Sequence, residues 1–233
     1  MQVVVPCVTF DQSLWLKACG IVEESGLNVV VRLGGFHTLM SYLGAIGKVM
    51  KDSGIEELFN EVYAENTVEH IISGKAVSRA FRAHLLTESA LVSILMDDLD
   101  VDTTEVAKFV TAVEKKSLDE IETFCESSEV RKIAAALESK MQVLKNRSRT
   151  AKLWLQYLYH ISVLKRFIIA ERTSNWSLHL QSTADMLNLF AASGHLNYAK
   201  SARLYVQQMV TLAEKHAWLN EQFENGSHAV RRS

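Results

Sequence analysis

The chain has 233 residues, enough for one large domain or two small ones, each able to bury a core. Hydrophobic residues make up 48% and charged residues 22%, with a formal net charge of −2, a balance that excludes a disordered chain. Three widely spaced cysteines with no CxxC exclude a disulfide framework or zinc ribbon, and no apolar stretch approaches the ~20 residues of a membrane span. With no basic-then-apolar leader, the expected setting is intracellular, cytoplasmic or nuclear, without signal peptide or transmembrane segment.

Two strands are expected first. Val3-Val4-Val5 and Val8-Thr9-Phe10 form a β-branched run, broken at Pro6 and ending at Asp11. Leu14, Trp15, Ala18, Cys19 and Val22 then recur at helical spacing, and Ser25-Gly26 closes that helix. Leu27 to Leu33 reads as a second strand, apolar enough to be covered on both faces. Gly34-Gly35 makes a turn, and Phe36 to Met50 reads as a helix. The order is strand, helix, strand, helix, for which a right-handed crossover to a parallel strand is the default. Two strands do not make a stable sheet alone. The flanking strands are therefore lost or supplied by another molecule, or the exposed edges are covered by helices.

Everything beyond residue 52 reads as helical. Pro6 is the only proline, where average usage of ~5% gives roughly a dozen, and its absence afterwards permits long helices. Ser53-x-x-Glu56, Asn66-x-x-Glu69 and Asp102-x-x-Glu105 resemble capping boxes. Apolar stripes follow: Val106, Val110, Val113, Ile121 and Phe124, then Val130 to Leu144, then Leu153, Trp154, Tyr157, Leu158, Ile161, Leu164 and Ile168, then Tyr198 to Leu212. Breaks fall at Asp97–Thr103, Ser127-Ser128, Asn146–Ser148 and Thr173–Asn175. The fold class is mainly α, a bundle of long helices with a short N-terminal β-α-β segment. Its division is a β/α segment over 1–51 and a helical region over 52–233, continuous with the first.

Charge is unevenly spread. Glu88 to Glu129 holds twelve acids against three bases, and Arg131 to Arg172 ten bases against two acids. Such asymmetry marks either a nucleic-acid surface or two stretches that neutralise each other, and internal pairing is the commoner case.

Several residues bear on chemistry. Asp11 ends a strand, where a carboxylate can hold Mg²⁺, or can cap the next helix. Gly34-Gly35-Phe36-His37 follows the second strand and could cradle phosphate, but it lacks GxGxxG spacing, and a tight turn with close helix–sheet contact explains it better. His37 is a candidate proton shuttle or ligand. Gly74-Lys75 fails as a phosphate loop, because Glu69 and Ala76 stand where Gly and Ser/Thr are needed. Gly44-Ala45-Ile46-Gly47 lies inside an apolar helical pattern, so close helix packing explains it better than an RNA-binding GxxG loop. Lys145, Arg147, Arg149 and Lys152 surround a helix break, and Arg231-Arg232 closes the chain. These six are the candidate phosphate contacts.

The blocks FDQSLWLKACGIVEES and VVVRLGGFHTLMSYLGAIGKVM resemble multicopy, transposon-like open reading frames of invertebrate genomes. So do YAENTVEHIISGKAVSRAFRAHLL, GHLNYAKSARLYVQQM and the ending HAVRRS, in the same order along nearly the whole chain. That family is in turn similar to DDE-type transposases with an RNase H-like core. The resemblance implies that the N-terminal strands are a partial RNase H-like sheet and that Asp11 is the first of three metal-binding acids. His37 stands where the second belongs, and the third would lie on a helix beyond Ser233. One carboxylate of three is too few for a two-metal site.

The expected function is thus that of a truncated, transposon-derived fragment without catalytic activity, Asp11 and His37 being relics. The alternative is a helical protein-interaction or scaffold module, or a weak nucleic-acid binder. No cofactor is expected, Mg²⁺ being held only if missing sequence completed the carboxylate set. Expected partners are DNA, weakly, and a helical protein partner or a second copy of the chain, with no membrane.

Overall fold

The computed structural model describes residues 5–97, 99, 104, 107, 111, 113–115 and 123–228. Among them are two strands and ten helices: β1 (Cys7–Phe10), α1 (Gln12–Ser25), β2 (Val30–Leu33), α2 (Gly35–Met50), α3 (Ile55–Asn60), α4 (Glu65–Ile72), α5 (Val77–Asp97), α6 (Ser128–Arg147), α7 (Arg149–Thr173), α8 (Trp176–Ala192), α9 (Leu196–Val210) and α10 (Leu212–Glu224). The fold is mainly α with a short N-terminal β-α-β segment, as the sequence pattern requires. The chain divides into two compact units, one holding Met1–His84 and Tyr157–Ser233, the other Leu85–Gln156. Those divisions fall inside α5 and α7, and the segment 1–51 belongs to the first unit together with the C-terminal helices.

In the first unit, β1 and β2 pair in parallel, with Cys7 opposite Val30 and Phe10 opposite Leu33. Strand β2 is shorter than the expected 27–33 but is buried along its whole length, which its apolar sequence allows. Asp11 starts α1 and Gly26, in the left-handed region at φ 62°, ends it. Trp15 is its one buried residue; the indole N–H donates to the Val31 carbonyl at 3.1 Å, and the ring meets Tyr205 edge-on.

Helix α2 packs closely on α4. A Cβ on Gly44 would lie 2.9 Å from the Ser73 carbonyl oxygen, and one on Gly47 would lie 2.0 Å from that of Ile72. The GxxG stretch is therefore a helix-crossing surface, where only glycine lets the backbones meet. Tyr42 extends this core, its ring edge-on to Phe190 and its hydroxyl 3.1 Å from His160 Nδ1. The buried residues of α7 include Tyr157, Ile161 and Leu164 of the expected stripe, with Phe167 and Ala170 in place of Ile168.

In the second unit, Ser127 accepts the Val130 N–H and starts α6, and Ser148 accepts the Ala151 N–H and starts α7. The Lys140 ammonium donates to the Leu95 carbonyl at 3.2 Å.

Two expected capping boxes form differently. Helix α3 starts after Gly54, which has no side chain to cap with, and the Glu56 carboxylate accepts the N–H of Asp52 instead of that of Ser53. Helix α4 starts at Glu65 behind Ala64, so Asn66 lies inside it and cannot cap. Asp102 and Glu105, like Val3, Val4, Val106, Val110 and Ile121 of the expected strand and stripe, lie outside the described residues.

Candidate functional site

Arg32 is the one charged residue of β2, and it is only 7% exposed. A buried cation is costly unless its donors are matched. One guanidinium nitrogen donates to the His228 carbonyl, just past α10, and the group lies over the rings of Trp176 (5.6 Å) and Phe223 (5.5 Å). Burial works against its charge, yet the Tyr205 oxygen and the Glu171 carboxylate outweigh burial and raise its pKa.

From Arg32 the polar contacts run across three helices. Arg32 has donors only, so the Tyr205 oxygen must accept from it. The Tyr205 hydroxyl lies 3.0 Å from Nε2 of His179, whose other ring nitrogen is Nδ1. That nitrogen faces Glu171 Oε1 at 2.6 Å. Burial pushes the Glu171 carboxyl up, but His179, followed by Arg32 and His228, outweighs this and holds it below the usual carboxylate range. Burial pushes the Tyr205 phenol up to about 12, so it stays protonated.

Glu171 also sits at the start of α2, where a Cβ on Gly35 would come within 2.7 Å of its Oε2. A side chain there would have to displace the Glu171 carboxylate, which the positive end of α2 favours. The sequence Arg32–Tyr205–His179–Glu171 is a relay of polar contacts but not of protons, since Arg32 stays charged and neither His179 Nδ1 nor Glu171 Oε1 has an aligned hydrogen bond. Tyr205 and His179 are each 1% exposed, so substrate does not reach them. What the relay does is tie β2, α7, α8 and α9 together and fasten the turn after α10 to the core.

The candidates read from the sequence lie elsewhere. Asp11 accepts the Leu14 N–H at 2.9 Å and the Ser13 hydroxyl at 3.1 Å, the cap geometry. The Leu14 N–H, opposed by slight desolvation and helped by Ser13 and His37, holds its carboxyl below the usual range. His37 lies in the first turn of α2, edge-on to Phe36. Asp11 and His37 thus share the C-terminal end of the parallel strands, the end where ligands bind in open α/β sheets. Gly34 is the tight turn, since a Cβ there would lie 2.9 Å from the Phe10 carbonyl oxygen. Among the described residues, no group of three or more His, Cys, Asp or Glu is arranged to hold a metal ion.

Lys145 and Arg147 end α6, Arg149 and Lys152 begin α7, and all four are exposed. Among the described residues none of the four has an ion pair, whereas Arg166 of the same basic stretch pairs with Asp185 at 2.8 Å. Arg231 and Arg232 lie outside the described residues. A cleft of about 710 Å³ beside α2 and α4 carries Lys48 and Lys51 but also Glu56, Glu65 and Glu69, and so favours neither sign of ligand.

Glu171, His179, Tyr205 and His228 are not expected as a site, Tyr205 being read only as part of an apolar stripe, because their meeting is purely tertiary. The one local sign was a charge inside an otherwise apolar strand, the Arg32 of VVVRL. No helix among the described residues is long and apolar enough to cross a membrane. No curated protein and no solved structure matches the chain. A domain of unknown function, DUF8702, matches it over residues 1–233, and the chain belongs to that family.

Proposed function

We propose that this protein is a transposon-derived helical module, catalytically inactive, that makes weak and sequence-independent contact with nucleic-acid phosphates through the α6–α7 junction. The single observation that carries the reading is at that junction. Between Lys140 and Lys152 the chain has five cations and no acid, and four of the five are exposed and without an ion pair among the described residues. Unmatched cations at one helix break can displace the counterions of a duplex, which internally paired ones cannot. The transposon-derived part rests on the resemblance of the sequence blocks. Two parallel strands joined by α1, with Asp11 at the end of the first, are compatible with a remnant of an RNase H-like sheet. The absence of catalysis is supported by the Asp11 carboxylate being committed to α1. Three free cysteines accord with a reducing, intracellular setting.

The test is a salt titration of duplex binding for the wild type and for Arg147→Ala/Arg149→Ala/Lys152→Ala. The expected Kd is on the order of 10⁻⁴ to 10⁻⁶ M at physiological salt, with a log–log salt slope that shrinks by roughly two to three in the variant. An unchanged slope would remove the junction as the contact, and submicromolar affinity would mean a dedicated binder.

A further inference from the structure

The two-stranded sheet has two edges, and they are treated differently. On the far side of β2 the Val31 carbonyl is taken by the Trp15 indole, and all four residues of the strand are buried. Strand β1 is open. Its Cys7, Val8 and Thr9 are exposed, and only β2 pairs with it among the described residues. The register fixes which groups face outward. Pro6 and Phe10 carbonyls accept from Val30 and Gly34, so Pro6, Val8 and Phe10 point their backbone groups at β2. Cys7 and Thr9 therefore present N–H and C=O to the free edge.

Natural edge strands avoid unwanted pairing by charges, prolines or bulges along the edge. The Cys-Val-Thr-Phe of β1 is short, itself a protection, but has none of these three. Val8 is 36% exposed, and α1, which packs on β1, carries exposed apolar residues of its own, Leu14 (50%) and Ile21 (56%), on one face with Lys17 between them.

We infer that β1 pairs antiparallel with β1 of a second copy of this chain, about a two-fold axis at Val8, giving a four-stranded sheet in the order β2-β1-β1-β2. A second copy is the occupant because the edge is self-complementary. About that axis Cys7 of each copy faces Thr9 of the other and exchanges both backbone hydrogen bonds, while the two Val8 residues form the close, non-hydrogen-bonded pair. The symmetric arrangement brings uncharged residues together at every position of the strand, and it raises the sheet from two strands to four, past the three needed for independent stability. Strand pairing alone covers too little for a standard interface of roughly 1,200–2,000 Å², so the apolar residues of α1 must contribute.

The inference is specific to one register and is tested by cross-linking. In Cys7→Ser/Val8→Cys, made like its control in a Cys19→Ser/Cys125→Ser background, the two new cysteines would stand with Cα atoms about 4.5 Å apart, within disulfide range. Mild oxidation should convert most of that protein to a covalent dimer. Cys7→Ser/Thr9→Cys, whose cysteines are out of register, should remain uncross-linked under the same conditions. Light scattering of the wild type should show a concentration-dependent dimer. Val8→Lys, which opposes two like charges, should be a monomer with unchanged circular dichroism. A wild type that stays monomeric at several hundred micromolar, or equal cross-linking of the two cysteine variants, would overturn the inference.

Discussion

His84 and Tyr157 meet in the interior of the first unit, with His84 Nδ1 2.9 Å from the Tyr157 hydroxyl. His84 is fully buried beside Phe59, and burial pushes its pKa down to about 4. The folded state thus keeps His84 neutral where the unfolded chain, titrating near 6.5, already binds a proton. Its contribution to stability is complete above about pH 6.5 and drains away as the pH falls towards 4. His160, held down to about 4 by burial as well, acts in the same sense. His84→Gln keeps a polar group at Tyr157 and removes the titration. Urea denaturation at pH 7 and pH 4.5 should show the wild type losing on the order of 2–3 kcal/mol more than the variant over that interval. An equal loss in both proteins would mean that His84 is not held neutral by the fold.

A second prediction uses glycines in opposite surroundings. Gly47→Ala would drive a methyl group to 2.0 Å from the Ile72 carbonyl oxygen, a backbone atom that cannot swing aside. Separating α2 from α4 should cost about 2 kcal/mol or more. Gly20 sits inside α1 with nothing within 4 Å of a built Cβ. Gly20→Ala should therefore stabilise by roughly 0.5–1 kcal/mol through helix propensity alone. Thermal denaturation of the two variants should move in opposite directions, and a neutral Gly47→Ala would contradict the close crossing.

Tyr205→Phe probes the relay. The substitution leaves the ring against Trp15 in place but removes the oxygen shared by Arg32 and His179. Two buried polar groups then lose a partner each, at a cost of about 2–3 kcal/mol. A loss under about 0.5 kcal/mol on urea denaturation would show that the hydroxyl is dispensable and the relay incidental.

Much of this fold could be read from local signals because the local signals were unambiguous. Gly26 had to end α1, since a left-handed residue after an apolar periodic run has few other uses. The glycines of α2 lay at a spacing of three within an apolar stripe, which points them at a neighbouring helix, and that neighbour is α4. The capping boxes at Ser53 and Asn66 failed because their side-chain pattern occurs wherever polar residues precede a helix, while the actual start is set by Gly54, at φ 95°, and by Ala64. The relay was out of reach for a different reason. Arg32 and Glu171 are far apart in sequence, and no periodicity links them; only the tertiary packing that sets β2 against α9 does. The cations around Ser148 were visible as a cluster, but whether they were matched is a tertiary question, and among the described residues the four of them have no ion pair.

The last prediction separates the two roles open to Asp11. As a cap, its carboxylate accepts the Leu14 N–H, an otherwise unpaired donor of the first turn of α1. Asparagine caps as well as aspartate, and alanine does not cap. Asp11→Ala should lower the Tm by roughly 2–4 °C and Asp11→Asn by almost nothing, as expected for loss of one cap in a chain of this size. As a metal ligand, Asp11 would behave otherwise, because asparagine is a poor ligand for Mg²⁺ and both variants would lose metal-dependent chemistry alike. Wild-type protein incubated with duplex DNA and Mg²⁺ or Mn²⁺ should neither cut nor join it, and neither ion should raise its Tm. Cleavage that requires the ion and disappears in Asp11→Asn would make Asp11 a ligand and overturn the non-catalytic reading. Retention of the full Tm in Asp11→Ala would show separately that the carboxylate does not cap α1.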